Sequence, residues 1–418
     1  MSAGGRRQST GTGRSSSGPH SSTTRARRNG VSTGPGTAES RPAEPVLHLP
    51  PSATPDTGRL PRYVEHGGEL VNRHPADALN ARLYGFAIPA SRKLLDAYCE
   101  RLFNRPSGNA LHWRAASSDV LVNFVDIPTM GSTELLDQHL GTCEEREAAI
   151  WFPVFEERTG QAAWAIPYMF VDSAIAMAGG REVYGFPKQL GRIQVPRRGA
   201  APARLSIETP TLRAFSPTSR VANHRLLTVT HPAPVAELRS DWSDAGTAFS
   251  RVDLARRRAA RHVPPDRRTT ASGAVGTPGG AGAMGEAGAM DGAVAMGGAG
   301  LGDGDTEESE WLADLRFFAQ LAAETLPVLL LKQFRDATVQ SGACYQAVVL
   351  VETTVSQFRG GGLLQPGYTL EVERLAGEPL GRELGIAASS VAHAAFWLDF
   401  DFVVPLAEIL WEADVGGR

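Results

Sequence analysis

The stretch Gly-Arg-Glu-Val-Tyr-Gly-Phe-Pro-Lys-Gln-Leu-Gly, residues 180–191, carries the pattern on which the interpretation of this sequence depends. Its lysine, Lys188, follows three largely apolar neighbours, Tyr184, Phe186 and Pro187. If this part of the chain is extended, alternate side chains share a face, so Tyr184, Phe186 and Lys188 would lie together. A lysine held among apolar side chains is a candidate nucleophile, because desolvation disfavours the ammonium form.

The composition limits the classes of protein to which the chain can belong. It has 418 residues, 42% of them hydrophobic, which is enough to bury a sizeable core. A net charge of −3 argues against nucleic acid or a membrane as the main partner. The three cysteines, Cys99, Cys143 and Cys344, show no Cys-x-x-Cys spacing, which argues against disulfides and a zinc site. With no long apolar run and no secretory leader, a cytoplasmic location is expected.

The chain divides into two segments of low complexity and two that carry folding signals. Residues 1–58 form an Arg/Ser/Gly-rich tail that is predicted to be disordered. Residues 236–306 are basic at first, with a short helix predicted near 254–261, and then rich in Gly, Ala and Met. We interpret them as a flexible insertion. The remaining segments, 59–235 and 307–418, are predicted to form one domain.

The patterned segments predict a mostly β fold (α+β) with a few peripheral helices. Apolar spacing predicts helices at Ser91–Phe103 and Trp311–Thr325. Strand patterns occupy Val120–Ile127, Tyr345–Val355 and residues 397–404. In the last of these, Asp399 and Asp401 alternate with apolar residues and are expected on a solvated face. The strands therefore predict an antiparallel β-barrel or sandwich.

Residues 173–191 resemble the active-site segment of the acetoacetate decarboxylase family. In that family a Gly-Arg-Glu run is followed a few residues later by Pro-Lys-Lys-Leu, and the first lysine forms a Schiff base. That lysine corresponds to Lys188. The resemblance implies a β-barrel or sandwich of the acetoacetate decarboxylase type. It also implies a carbon–carbon lyase that decarboxylates a short β-keto acid, needs no cofactor or metal, and assembles as a homo-oligomer.

The resemblance also implies roles for other residues. Glu145 corresponds to the glutamate that moves protons during imine formation and enamine protonation. Arg82 would hold the carboxylate of the keto acid. Tyr184, Phe186 and Gln189 would contact the substrate from the lysine segment. The expected partners are a small keto acid and other copies of the chain, and neither nucleic acid nor a membrane is expected.

Two departures from the family pattern leave the reaction open. Gln189 replaces the second lysine, so Lys188 would lack a neighbouring cation and depend on burial for its activation. A second family glutamate would fall at Val125 or Asp126, which are not glutamates. Two alternatives therefore stand beside decarboxylation. One is redirected Schiff-base chemistry, such as an aldolase, dehydratase or hydratase reaction on a keto acid. The other is a non-catalytic descendant that binds a ligand or a partner.

Overall fold

The computed structural model describes residues 61, 63–64, 73–135, 137–199, 201–233, 238–261 and 325–414. Apart from 61, 63 and 64, these residues belong to one compact unit that spans 67–418. The predicted tail 1–58 and the Gly/Ala/Met-rich part of the predicted insertion lie outside the described residues. The predicted helix at 311–325 also lies outside them, except for Thr325, which begins a strand.

The described chain is mostly β. The strands are β1 (Ala76–Pro89), β2 (Trp113–Ala115), β3 (Asp119–Ser132), β4 (Cys143–Glu156), β5 (Ala162–Val171), β6 (Lys188–Leu190), β7 (Arg192–Gln194), β8 (Arg204–Thr211), β9 (Ala222–Thr230), β10 (Thr325–Arg335), β11 (Ala343–Leu363), β12 (Thr369–Val372), β13 (Ser389–Val391), β14 (Ala394–Val404) and β15 (Glu408–Glu412). The α-helices are α1 (Arg92–Cys99), α2 (Ala174–Gly179), α3 (Ala245–Arg261) and α4 (Leu380–Leu384). Short π-helical turns follow α1 at Glu100–Asn104 and α2 at Gly180–Tyr184, and a 3-10 turn spans Gln138–Leu140.

Seven strands close into a ring. Going around it, β4 pairs with β3, β3 with β1, β1 with β14, β14 with β11, β11 with β10, β10 with β5, and β5 returns to β4. These pairings are antiparallel except that between β10 and β5. Closure leaves no free edge among these strands and encloses an interior that side chains from every strand can line. The prediction of a mostly antiparallel β fold is confirmed.

The pairing register determines which residues face the interior. Glu147 on β4 lies opposite Val125 on β3, Val125 lies opposite Leu83 on β1, and Leu83 lies opposite Leu398 on β14. Because side chains alternate between the faces of a strand, residues two apart along each strand share this inner face. Every second residue of β3, β4 and β14 therefore points into a common interior.

The outer face of the ring is covered by other elements. A second sheet, in the order β13-β12-β9-β8-β7, contributes Leu205, Leu227 and Leu370 to a core shared with the outer face of the ring. Helix α1 buries Leu95 and Tyr98 in the same core, as the predicted helix at 91–103 requires. The ring is thus apolar on both faces, which explains why all ten residues of β5 are buried.

Two details differ from the sequence interpretation. Asp399 and Asp401 are not a solvated face: they form ion pairs with Arg82 and Arg359 on neighbouring strands. In the described beginning of the 236–306 segment, the helix predicted near 254–261 is longer than expected. It is the 17-residue helix α3, whose Ala248 is fully buried against the sheet. Within the described residues no helix is long and apolar enough to span a membrane.

A tight turn connects α2 to β6. The π-helical turn ends at Gly185, which has a positive φ of 82°. A Cβ at this position would lie 2.5 Å from the Cα of Lys332 and 2.8 Å from the carbonyl oxygen of Leu331 on β10. Both the backbone conformation and the close approach of β10 therefore require glycine.

We expect Gly185→Ala to lower the free energy of unfolding by about 2–4 kcal/mol, because left-handed strain and a backbone clash act together. Gly199→Ala is the matched control. Gly199 also has a positive φ, but nothing lies near its Cβ position. It should cost only about 1 kcal/mol. Denaturant unfolding measures both, and equal losses would contradict this explanation of the turn.

Candidate active site

Three features of the 180–191 segment position Lys188. A Cβ on Gly180 would lie 2.6 Å from the Cδ of Lys188, so the glycine leaves space for the lysine side chain. Arg181 donates a hydrogen bond from Nη1 to the carbonyl oxygen of Lys188 at 3.1 Å. Lys188 then begins β6, which pairs in parallel with β5 through Met169. The lysine is therefore fixed at its backbone and along its stem, with its amine directed inward.

The amine of Lys188 forms a buried ion pair with Glu145. Nζ lies 2.7 Å from Oε1 of the carboxylate, and the two side chains are 8% and 1% exposed. The partners come from β6 and β4, 43 positions apart in the sequence. Removing such charges from water is costly, so a buried pair is kept only when both partners stay in place. At this distance a proton can pass directly between the amine and the carboxylate.

Glu147 adds a second carboxyl group to the same face of β4. It lies two residues from Glu145 and lines the same cavity as Lys188. Burial raises the pKa of Glu147 to about 7, the negative charge of Glu145 acts in the same direction, and Lys188 opposes both. Near neutral pH this carboxyl group therefore exists in both protonation states and can donate or accept a proton.

These groups face a cavity of about 120 Å³ inside the ring. Most of the lining is apolar, with Ile127, Met169 and Phe402 among the contributors. His74 also lines the cavity, and its ring packs edge-on against Tyr184 with centroids 4.7 Å apart. Burial lowers the pKa of His74 to about 4, and the charge of Lys188 acts in the same direction. His74 is therefore neutral at pH 7.

The structure brings together four of the six predicted site residues. Tyr184 and Phe186 line the cavity beside Lys188 and Glu145. The Lys188 amine lies 5.7 Å from the centre of the Phe186 ring. The hydroxyl of Tyr184 donates to the carbonyl oxygen of Pro405 at 2.6 Å, which fixes the ring as part of the wall.

The other two predicted residues lie elsewhere. Gln189 points away from the cavity, as its position next to Lys188 on a strand requires, and donates to Glu378 at 3.2 Å. Position 189 therefore faces a carboxyl group outside the lysine cavity, and a cation there would not contact the Lys188 amine. Arg82 is held by Asp399, with Nε 2.6 Å from Oδ1, and packs over Trp397. It is not among the residues that line the cavity.

Lysine is rare in this chain, which makes the amine assignment testable. The sequence contains three lysines, Lys93, Lys188 and Lys332. Lys93 is exposed on α1. Lys332 is half-buried on β10, where burial lowers its pKa, and its amine lies over the rings of Phe334 and Tyr345. Lys332 is therefore the competing amine, although it does not line the cavity that holds Glu145.

Sequence reasoning missed Glu147 and His74. The signal for Glu147 was present, because residues two apart on a strand share a face and the run Glu-Arg-Glu spans 145–147. For His74 there was no such signal. His74 lies just before β1, and β3 separates β1 from β4 in the ring. No spacing in the sequence indicates that His74 would share a cavity with the glutamates of β4.

The acetoacetate decarboxylase family model matches residues 119–237. The matched segment contains Glu145, Glu147 and Lys188, and the strands that carry them. The resemblance of this part of the chain to the acetoacetate decarboxylase family is thereby confirmed.

Solved acetoacetate decarboxylases and related enzymes are similar to this chain at low identity. The acetoacetate decarboxylase of Legionella pneumophila is 14% identical, with 85% of this chain and 93% of that chain covered, at a TM-score of 0.47. The enduracididine biosynthesis enzyme MppR complexed with pyruvate is 13% identical, with 82% and 93% covered, at 0.42. An acetoacetate decarboxylase-like enzyme from Sphingomonas wittichii RW1 is 13% identical, with 82% and 96% covered, at 0.43. No curated protein matches the sequence.

Glu147 should make the free energy of unfolding depend on pH. Its pKa is raised from 4.5 to about 7, so the folded state binds more protons there than the unfolded state does. Stability should therefore fall as pH rises from 4.5 through about 7, by up to about 3 kcal/mol, and then level off. Glu147→Gln should remove this part of the slope in denaturant unfolding measured across that range.

Glu144→Gln is the control for that measurement. It makes the same chemical change on the same strand at an exposed position. It should leave the wild-type dependence on pH intact. A slope that is equal in the wild type and in the Glu147→Gln variant would show that Glu147 is not the group responsible.

Proposed function

We propose that this protein is a Schiff-base-forming lyase that decarboxylates a β-keto acid through an iminium on Lys188. The observation that carries the proposal is the buried Lys188–Glu145 pair in an apolar cavity, 2.7 Å from nitrogen to oxygen. A buried amine with a carboxylate in contact can lose its proton to that carboxylate without involving bulk water. The match of residues 119–237 to the acetoacetate decarboxylase family model supports the same reaction class.

The first half of the reaction forms the iminium. Glu145 takes a proton from the ammonium of Lys188, and the free amine adds to the ketone carbon of the substrate. The resulting hydroxyl group leaves as water after it receives a proton from a carboxyl group. Glu145 and Glu147 both line the cavity, and the pKa of Glu147 near 7 suits it to donate this proton.

The second half breaks the carbon–carbon bond. The electron pair of the bond to the carboxylate moves into the iminium, which releases carbon dioxide and leaves an enamine. A proton is added to the enamine carbon, and water then hydrolyses the new iminium to a ketone and the free lysine. The overall balance is one β-keto carboxylate anion and one proton giving one ketone and one carbon dioxide.

The charges around the cavity favour loss of the carboxylate. Lys188 is the only lysine or arginine among the described residues that line it, and two glutamates lie beside it. Since the negative charge disappears when carbon dioxide forms, an environment that holds the carboxylate weakly stabilises the transition state relative to the bound acid. Arg82, engaged by Asp399, supplies no competing anchor in this arrangement.

Reductive trapping tests the proposal. The Lys93→Arg/Lys332→Arg variant keeps Lys188 as its single lysine. Incubation with acetoacetate and borohydride should add one adduct to this variant, and peptide mass spectrometry should place it on Lys188. The single variant Lys188→Arg, which keeps Lys93 and Lys332, should give no lysine adduct.

Each alternative predicts a different result in the same experiment. An adduct on Lys188 without release of carbon dioxide from any β-keto acid would favour aldol or dehydration chemistry on a keto acid. An adduct that survives Lys188→Arg and is lost with Lys332→Arg would assign the reactive amine to Lys332. The absence of an adduct with acetoacetate, pyruvate and longer keto acids would favour a non-catalytic binding protein.

A further inference from the structure

A second cavity lies beside the Lys188 cavity inside the ring, and we call it the far chamber. It has a volume of about 70 Å³, and its wall includes Leu121, Asn123, Val355 and Leu398. Nearly all of this wall is aliphatic or aromatic. The far chamber is therefore a narrow and largely apolar space beside the reacting groups.

The far chamber and the Lys188 cavity share part of their walls. Glu147, Trp151, Thr353 and Phe402 line both. A substituent on a ketone bound at Lys188 would need to pass only these side chains to enter the far chamber. The two cavities therefore form the reacting end and the distal end of one elongated site.

Asn123 places an unusual polar group in this apolar wall. The residue is 1% exposed, and neither its amide oxygen nor its amide nitrogen has a hydrogen-bond partner among the described residues. An unpaired buried amide is costly, and few native side chains remain so without a ligand or water. The indole N–H of Trp151, at the junction of the cavities, is also buried and has no hydrogen-bond partner in the described part of the chain.

The strand register gives the distance between the reacting end of the site, at Glu145, and Asn123. On β3 and β4, Ile127 lies opposite Glu145 and Asn123 lies opposite Ala149, with no bulge between the two pairs. Asn123 is therefore four residues along β3 from the level of Glu145, or roughly 13 Å. An extended chain advances about 1.1–1.2 Å per bond, and a hydrogen bond to the amide spans about 3 Å of this distance. The remaining length of roughly 10 Å corresponds to about eight to nine bonded atoms beyond the ketone.

From these observations we propose that the far chamber binds the distal part of the substrate. The substrate class is a β-keto acid with a medium-length aliphatic chain that carries a hydroxyl or carbonyl group near its far end, hydrogen-bonded to the amide of Asn123. The identity of the reacting end rests on the function proposed above. The distal end rests on the far chamber and Asn123 alone, so the two can be tested separately.

Unreactive analogues separate binding from Schiff-base chemistry. The probes are 3-hydroxy acids of four to ten carbons, which have no ketone, and the ten-carbon acid with a second hydroxyl at its terminus. Binding to the full chain is followed by fluorescence of the tryptophans, since Trp151 and Trp164 line the far chamber. The dissociation constant should fall about three- to fourfold with each added methylene group. The terminal hydroxyl should tighten binding by a further fivefold or more.

Two variants locate the effect. Asn123→Leu should abolish the preference for the terminal hydroxyl and keep the dependence on chain length. Val355→Phe fills the far chamber and should bring the ten-carbon and four-carbon affinities to a ratio near one. Val339→Phe makes the same change at an exposed position and should keep the wild-type ratio.

Wild-type affinities that do not change with chain length would overturn the proposal, as would a length dependence that persists in folded Val355→Phe. A hydroxyl preference that survives Asn123→Leu would overturn the assignment of that residue. Length-dependent binding without any Lys188 adduct would uphold the far chamber and refute the lyase function. An adduct with acetoacetate, together with affinities that do not change with chain length, would uphold the lyase function and refute the far chamber.

Discussion

A lysine ammonium and a glutamate carboxylate in contact inside an apolar ring are the constraint on which this structure depends. Burying the charge of Lys188 or of Glu145 alone would cost several kcal/mol, on the order of the stability of a small domain. The pair is therefore held from both sides. Gly180 gives space to the lysine stem, Arg181 fixes its carbonyl oxygen, and β4 carries the carboxylate. The same arrangement places a removable proton on an amine that water does not reach freely.

Ring closure gives this pair its surroundings. The strand that pairs with β6 is β5, and β5 also pairs with β4 and β10. The side chain of Lys188 on β6 therefore points into the interior of the ring. Glu145, Glu147 and Trp151 lie in this order in a column along the inner face of β4. The acid–base groups occupy one end of this column and the apolar far chamber the other. The ring thus separates the chemistry from the part of the site that can discriminate chain length.

The sequence predicted the fold class and indicated the segment that supplies the buried lysine, because both depend on local signals. Period-two alternation indicated β14, and the 180–191 run carried its glycines and lysine in adjacent positions. What it could not predict depends on which strands become neighbours. Asp399 was expected in water because only pairing of β14 with β1 brings Arg82 to it. Arg82 was expected at the substrate from the resemblance, and the same pairing places it against Asp399 instead. Position 189 mattered less than expected, since alternation along β6 turns it away from Lys188.

Exchange of a ketone oxygen tests the central claim most directly, because imine formation must expel that oxygen as water whatever reaction follows. Acetone labelled with oxygen-18 would be incubated with the protein, and loss of the label would be followed by mass spectrometry. The account predicts that the wild-type protein accelerates this loss well beyond the buffer rate and that folded Lys188→Gln does not. A wild-type rate equal to that of buffer, or an undiminished rate in Lys188→Gln, would contradict it.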